Sequence, residues 1–108
     1  MRISDCAELT GTTVRTIRYY HQIRLLPVPE RRSGHRDYDL SHIARILRIR
    51  WLADAGLSLD AIAGLVGEEA PTDRATTLRE LHATADSLDE RIADLTEQRR
   101  RIAALVTM

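Results

Sequence analysis

The sequence predicts a mainly α-helical fold: a small winged helix-turn-helix domain followed by one long coiled-coil helix. Three observations carry that expectation. Two short helical patterns flank Gly11, an arginine-rich stretch broken by Pro27, Pro29 and Gly34 follows them, and the last third of the chain repeats every seven residues. A chain of 108 residues suits one domain or a small domain with an extension, and with 44% hydrophobic residues it can bury a modest core.

Each element can be justified in order. Ser4, followed by Asp5 and Glu8, reads as a helix start, with an N-cap and acids near the positive end of the helix dipole. Gly11 is expected to end this helix near Thr10, and Thr13 to cap a second helix running to about Ile23. In LPVPERRSGHRDYD, residues 26–39, the prolines and Gly34 forbid regular helix, so a two-stranded ribbon turning near Ser33 and Gly34 is expected. Asp39 then caps a third helix, marked by Leu40, Ile43, Leu47 and Trp51 at helical spacing and closed at Gly56. Ser58 opens a fourth, carrying Leu59, Ile62, Leu65 and Val66. GEEAPTD, residues 67–73, is the expected linker, so the chain divides into a domain over 1–69 and a linker with long helix over 70–108.

The long helix has a sustained heptad pattern. Leu81, Leu88, Leu95 and Ile102 fall seven apart, and Leu78, Ala85, Ile92, Arg99 and Val106 form the other seam position. Some 30 residues would span about 45 Å at 1.5 Å per residue. The rest of the chain is too small to cover such a length. A second copy of the chain is the expected partner, and folding back on its own domain is the alternative.

The charge pattern says what the first domain meets. The formal net charge is zero, yet residues 1–52 hold ten arginines against five acids and residues 53–108 six against eleven. A basic half joined to an acidic half suggests that one end meets a polyanion. The stretch TVRTIRYYHQIRLLP, residues 13–27, concentrates this charge. On a helical wheel Arg15, Arg18, Tyr19 and Gln22 share an arc of about 100°. Ile17 and Tyr20 lie opposite, so Tyr20 is expected to pack inward and Tyr19 to point out. Guanidinium forks, a hydroxyl and an amide on one arc match phosphate oxygens and base edges in a major groove. An ordinary solvated arginine face would carry acids among its arginines, and this arc has none. Thr13, at the start of the same helix, joins the set, and Arg31, Arg32, Arg36 and Tyr38 in the ribbon would grip the flanking backbone.

Other chemistries find little support. Cys6 alone excludes a disulfide framework or a thiolate metal site and reads as a small buried residue. His21, His35, His42 and His82 show no ligand spacing, and neither a phosphate-binding glycine loop nor a nucleophile–base pair is present. No enzyme, no cofactor and no metal are therefore expected. Without an eighteen-residue apolar run or a leader pattern, a cytoplasmic protein with no membrane partner is expected.

Taken together, VRTIRYYHQIRLLPVPERRSGHRDYD and the later LADAGLSLDAIAGLV resemble the mercury-resistance regulator (MerR) family of transcription factors over residues 2 to about 67. The helix from 72 to 106 is similar in position and character. The resemblance implies a winged helix-turn-helix homodimer joined by an antiparallel coiled coil. It implies binding to a pseudo-palindromic promoter whose elements lie too far apart for RNA polymerase, and bending and untwisting of that DNA until polymerase engages both. It assigns Arg15, Arg18 and Tyr19 to the recognition helix, and Arg36 and Tyr38 to the wing. Three positions depart from the family pattern: His21 stands where glutamate is frequent, Arg24 replaces a glycine, and Asp37 sits beside Arg36. Metal-sensing relatives carry paired cysteines after the long helix, which are absent here. The chain is therefore expected either to lack an effector domain or to be part of a longer protein, and the heptad pattern still running near Met108 favours the second, with an effector-binding domain for an unknown ligand beyond it. Asp60, Glu68 and Glu69 are candidates to meet polymerase. The competing readings are an architectural, excisionase-like DNA bender and a coiled-coil protein-interaction module.

Overall fold

Gly11 makes the turn on which the first two helices meet. It takes the left-handed conformation at φ 67°, and its N–H reaches back to the Ala7 and Glu8 carbonyls to close helix α1, Ile3–Thr10. A Cβ here would come within 2.8 Å of Arg50 Nη1, the group that donates to the Thr10 carbonyl. Glycine is thus favoured twice, by conformation and by space. Helix α2, Val14–Gln22, starts at Thr13, whose hydroxyl accepts from the Thr16 N–H at 3.1 Å. This is a computed structural model, and it describes residues 1–66 and 74–108.

The start of α1 differs from expectation. Arg2, not Ser4, is the capping residue, and its backbone N–H donates to Asp5 Oδ2 at 3.3 Å. The acid three residues in reaches back to the cap, which is half of a capping box and does not need a serine. Ser4 falls within the first turn instead.

Helix α2 ends on an arginine. Arg24 holds φ 60°, its N–H donates to the His21 carbonyl at 3.1 Å, and the Leu25 N–H donates to the Tyr20 carbonyl at 2.9 Å. This is a Schellman closure with a non-glycine residue in its left-handed position. The ribbon then forms as expected. Strands β1, Arg31–Arg32, and β2, His35–Arg36, pair antiparallel with Arg31 opposite Arg36 and Arg32 opposite His35. Ser33 and Gly34 both take positive φ, at 51° and 82°, as a tight two-residue hairpin requires.

Helix α3, Leu40–Asp54, is capped by Asp39, whose Oδ1 accepts from the Ser41 N–H at 2.9 Å. The apolar stripe that marks this helix in the sequence is not the one it buries. Leu40 and Trp51 are 78% and 72% exposed, whereas Ile46 and Ile49 are fully buried and His42 nearly so. The helix is apolar on several sides, so spacing alone cannot choose the inner one. Packing against α1 and against helix α4, Leu59–Val66, chooses it. Ser58 opens α4, accepting from the Ala61 N–H at 3.1 Å. Cys6, Ile17, Leu25, Leu26, Ile46, Ile49 and Ile62 form the fully buried centre. Each such aliphatic side chain contributes about 1.5–3 kcal/mol.

The chain clusters into two units, Met1–Thr72 and Asp73–Met108. The second holds one helix, α5, Arg74–Val106, of 33 residues. Along it Leu88, Ile92, Leu95, Ile102 and Val106 are exposed in the single chain. The expected linker at 67–73, with Glu68 and Glu69, lies outside the described residues.

Candidate nucleic-acid interface

Thr13 fixes the start of α2, Ile17 and Tyr20 bury one side of it, and the opposite side is thereby turned outward. Arg15, Arg18, Tyr19 and Gln22 are all exposed, as the helical wheel requires. Among the described residues, no carboxylate pairs with Arg15 or Arg18. Thr13 is also exposed, but its hydroxyl is already shared between the Thr16 N–H and the Thr16 hydroxyl at 2.9 Å, so it serves the helix first.

The ribbon brings two more cations, Arg31 and Arg36, to the same groove, while Arg32 lines a different one with Asp37 and Asp39. Arg31, Arg32 and Arg36 are exposed, and a groove between α2 and the ribbon is lined by Arg2, Arg18, Arg31, Arg36, His21 and Tyr38. The groove joins recognition-helix and wing residues from sequence positions up to 20 apart, Arg18 to Tyr38. A surface so charged attracts a polyanion and loses that attraction as salt rises.

Three residues sit differently from their expected places. Tyr38 is only 2% exposed, so it anchors the root of the wing instead of standing free on it. Burial pushes its hydroxyl pKa up. Asp37, next to Arg36 in the sequence, pairs elsewhere. It takes Arg32 at 3.5 Å and the Met1 amino group at 2.7 Å, which hold its carboxyl below the usual range. Arg36 instead donates to the Pro29 carbonyl at 3.1 Å. His21, assigned no role by its spacing, is half-buried and bonded through both ring nitrogens, to the Leu26 carbonyl and the Tyr38 hydroxyl. Burial, with help from nearby His42 and Arg36, holds its pKa below the ordinary histidine value.

Sequence reasoning also missed how many arginines are structural. Arg45 Nε donates to the Leu25 carbonyl at 2.9 Å, and Arg50 donates to the Thr10 carbonyl at the end of α1. Both tie loop or helix-end carbonyls to α3, and no local spacing announces that. Arg2 is the reverse case, a groove-lining cation that lies outside the arginine-rich motif.

The profile described as MerR HTH family regulatory protein matches residues 1–69. The chain belongs to the MerR family. That is a family of DNA-binding transcriptional regulators, not of enzymes. The chain is 31% identical to the HTH-type transcriptional regulator CueR of Yersinia pestis, over 97% of this chain and 78% of the relative. It is 34% identical to the ZntR homolog of Haemophilus influenzae, over 97% and 80%. It spans only 28% of the length of the nodulation protein NolA of Bradyrhizobium elkanii, at 45% identity over 56% of this chain. Among solved structures it is similar to the transcription regulator PbrR691 of Ralstonia metallidurans CH34, there in complex with lead(II). That match has a TM-score of 0.70 at 27% identity and covers 97% of this chain and 84% of the other. A MerR family regulator from Bacillus cereus matches with a TM-score of 0.68 at 29% identity over 90% and 75%. Among the described residues of this chain, no three histidine, cysteine, aspartate or glutamate side chains come together as a metal site, and no helix is long and apolar enough to cross a membrane.

Proposed function

We propose that this chain is a homodimeric, sequence-specific regulator that binds a pseudo-palindromic promoter as double-stranded DNA and bends and untwists it to control transcription initiation. The observation that carries the proposal is the groove between α2 and the wing that Arg18, Arg31 and Arg36 line together, beside an exposed face of α2 that also carries Arg15, Tyr19 and Gln22. Residues 1–69 then read DNA and residues 70–108 join the dimer. On α5, Leu78, Leu81, Ala85, Leu88, Ile92, Leu95, Ile102 and Val106 form the seam, all from two interleaved heptad positions with apolar side chains left to a partner. Two heads spaced by paired helices suit half-sites roughly one or two turns apart, about 34–70 Å. RNA polymerase is the further partner, and the cytoplasm is the place of action. Part of the specificity would come from the deformability of the operator centre.

Selection from a randomised duplex pool tests this. An enriched inverted repeat, bound more tightly than random duplex at the same salt, is the expected result. Equal affinity for every duplex would contradict sequence-specific regulation and favour an architectural bender.

A further inference from the structure

The two bonds of His21 define its tautomer. Nδ1 lies 2.9 Å from the Leu26 carbonyl oxygen and Nε2 lies 2.7 Å from the Tyr38 hydroxyl. A carbonyl oxygen only accepts, so Nδ1 carries the hydrogen. In the neutral ring Nε2 is then the acceptor, and Tyr38 donates to it. One imidazole thereby links the last turn of α2, the chain leaving it, and Tyr38, two residues past the end of β2. Tyr38 is itself fixed from below: it is buried, and its ring meets His42 of α3 edge-on at 5.3 Å between centroids.

The wing has need of such a link. Its ribbon has two residue pairs, and an isolated hairpin of that size does not hold an orientation by itself. Its root is tied by the Asp37 N–H to the Glu30 carbonyl at 2.9 Å, by Arg36 to the Pro29 carbonyl, and by Met1, which donates to Asp37 Oδ1 and the Tyr38 carbonyl and accepts from the Tyr38 N–H at 2.8 Å; none of these reaches the recognition helix. Among the described residues, the His21–Tyr38 bond is the side-chain hydrogen bond that crosses from the recognition helix to the wing root. Arg18 and Arg36 open on the groove that these two residues line.

We propose that His21 is a positioning residue for DNA binding: through the Tyr38 hydroxyl it holds the wing at a set distance from the recognition helix, so that Arg18 and Arg36 engage the duplex together. This role rests on the DNA-binding reading of α2 and the wing, so its test has one arm without DNA. In that arm, ¹⁵N NMR of the imidazole in the full chain near neutral pH reads the tautomer. The bridge requires the Nδ1–H form, the opposite of the form a free neutral imidazole side chain favours. An Nε2–H tautomer would overturn the bridge whatever the DNA results, and this measurement stands even if a variant fails to fold.

The second arm uses the operator selected above. Tyr38→Phe removes one hydroxyl and keeps the buried ring, and affinity should fall about three- to tenfold, the range of a single hydrogen bond. Arg36→Ala should then cost less in the Tyr38→Phe background than in the native chain, because the wing arginine has already lost its position. A merely structural tyrosine would lower stability and leave the two affinity losses additive. Additive losses, or an unchanged affinity in Tyr38→Phe, would overturn the positioning role while the DNA-binding reading stood. A native chain with no preference among duplexes would bring down that reading itself, and the positioning role with it.

Discussion

The head domain and the long helix solve the burial problem in opposite ways. The head domain turns its large aliphatic residues inward, and Ile17, Leu25, Leu26, Ile46, Ile49 and Ile62 are almost wholly removed from solvent by residues of the same unit. Helix α5 leaves Ile92, Leu95 and Ile102 about 60% exposed in the single chain. A core closed within one chain gives stability independent of concentration. A seam left open can be satisfied only by mass action with a partner. The difference separates the two halves by what would break them.

The largest effect is expected at the seam. In the proposed homodimer, Leu88→Arg would place a charge on each side of a twofold interface, so every defect would occur twice. Dimerisation should weaken by about 100-fold or more, since an unpaired charge would have to be buried. Sedimentation should then show monomer, with the head domain still folded. A persisting dimer would assign the association to another surface. In the head domain, Ile46→Ala should cost about 2–5 kcal/mol through the cavity it leaves. Thermal melts should show the same loss at every protein concentration. A loss that vanished at high concentration would mean that the head, too, depends on a partner.

The two regions were also unequally legible. Helix α2 separates its apolar and polar residues cleanly, so a wheel placed Ile17 and Tyr20 inward and Arg18 and Tyr19 outward. The wing turn was legible because Ser33–Gly34 follows a proline-broken stretch. Helix α3 was not legible in its orientation, because Leu40, Leu47 and Trp51 form as good a stripe as Ile46 and Ile49, and only tertiary packing decides between them. The His21–Tyr38 bond was invisible for a different reason. It joins residues 17 apart across a turn and a ribbon, and no local pattern encodes such a pair. The heptads of α5 were plain in the sequence, because the pattern is local to one helix.

Smaller effects sharpen the division within the head. Arg18→Ala should weaken operator binding roughly tenfold with the melting temperature nearly unchanged, because the side chain is exposed and unpaired with any described carboxylate. If the lost contact is to phosphate, the log–log salt slope should shrink by about one. Unchanged affinity would move the binding face off α2. At the far end of that helix, Arg24→Gly should stabilise the chain by about 1 kcal/mol, since it relieves a non-glycine residue at φ 60°. A chemical-denaturation midpoint that fell instead would show that the Arg24 side chain offsets the backbone strain.

The most direct test of a DNA-reading head joined by a dimerising helix is footprinting on the gene's own upstream DNA, with a probe sensitive to unstacked bases. A symmetric footprint of two half-sites, with a hypersensitive centre between them, is the predicted result. A protected stretch without symmetry or distortion would contradict the account, because a single head bound to undistorted DNA needs neither the seam of α5 nor a deformable operator.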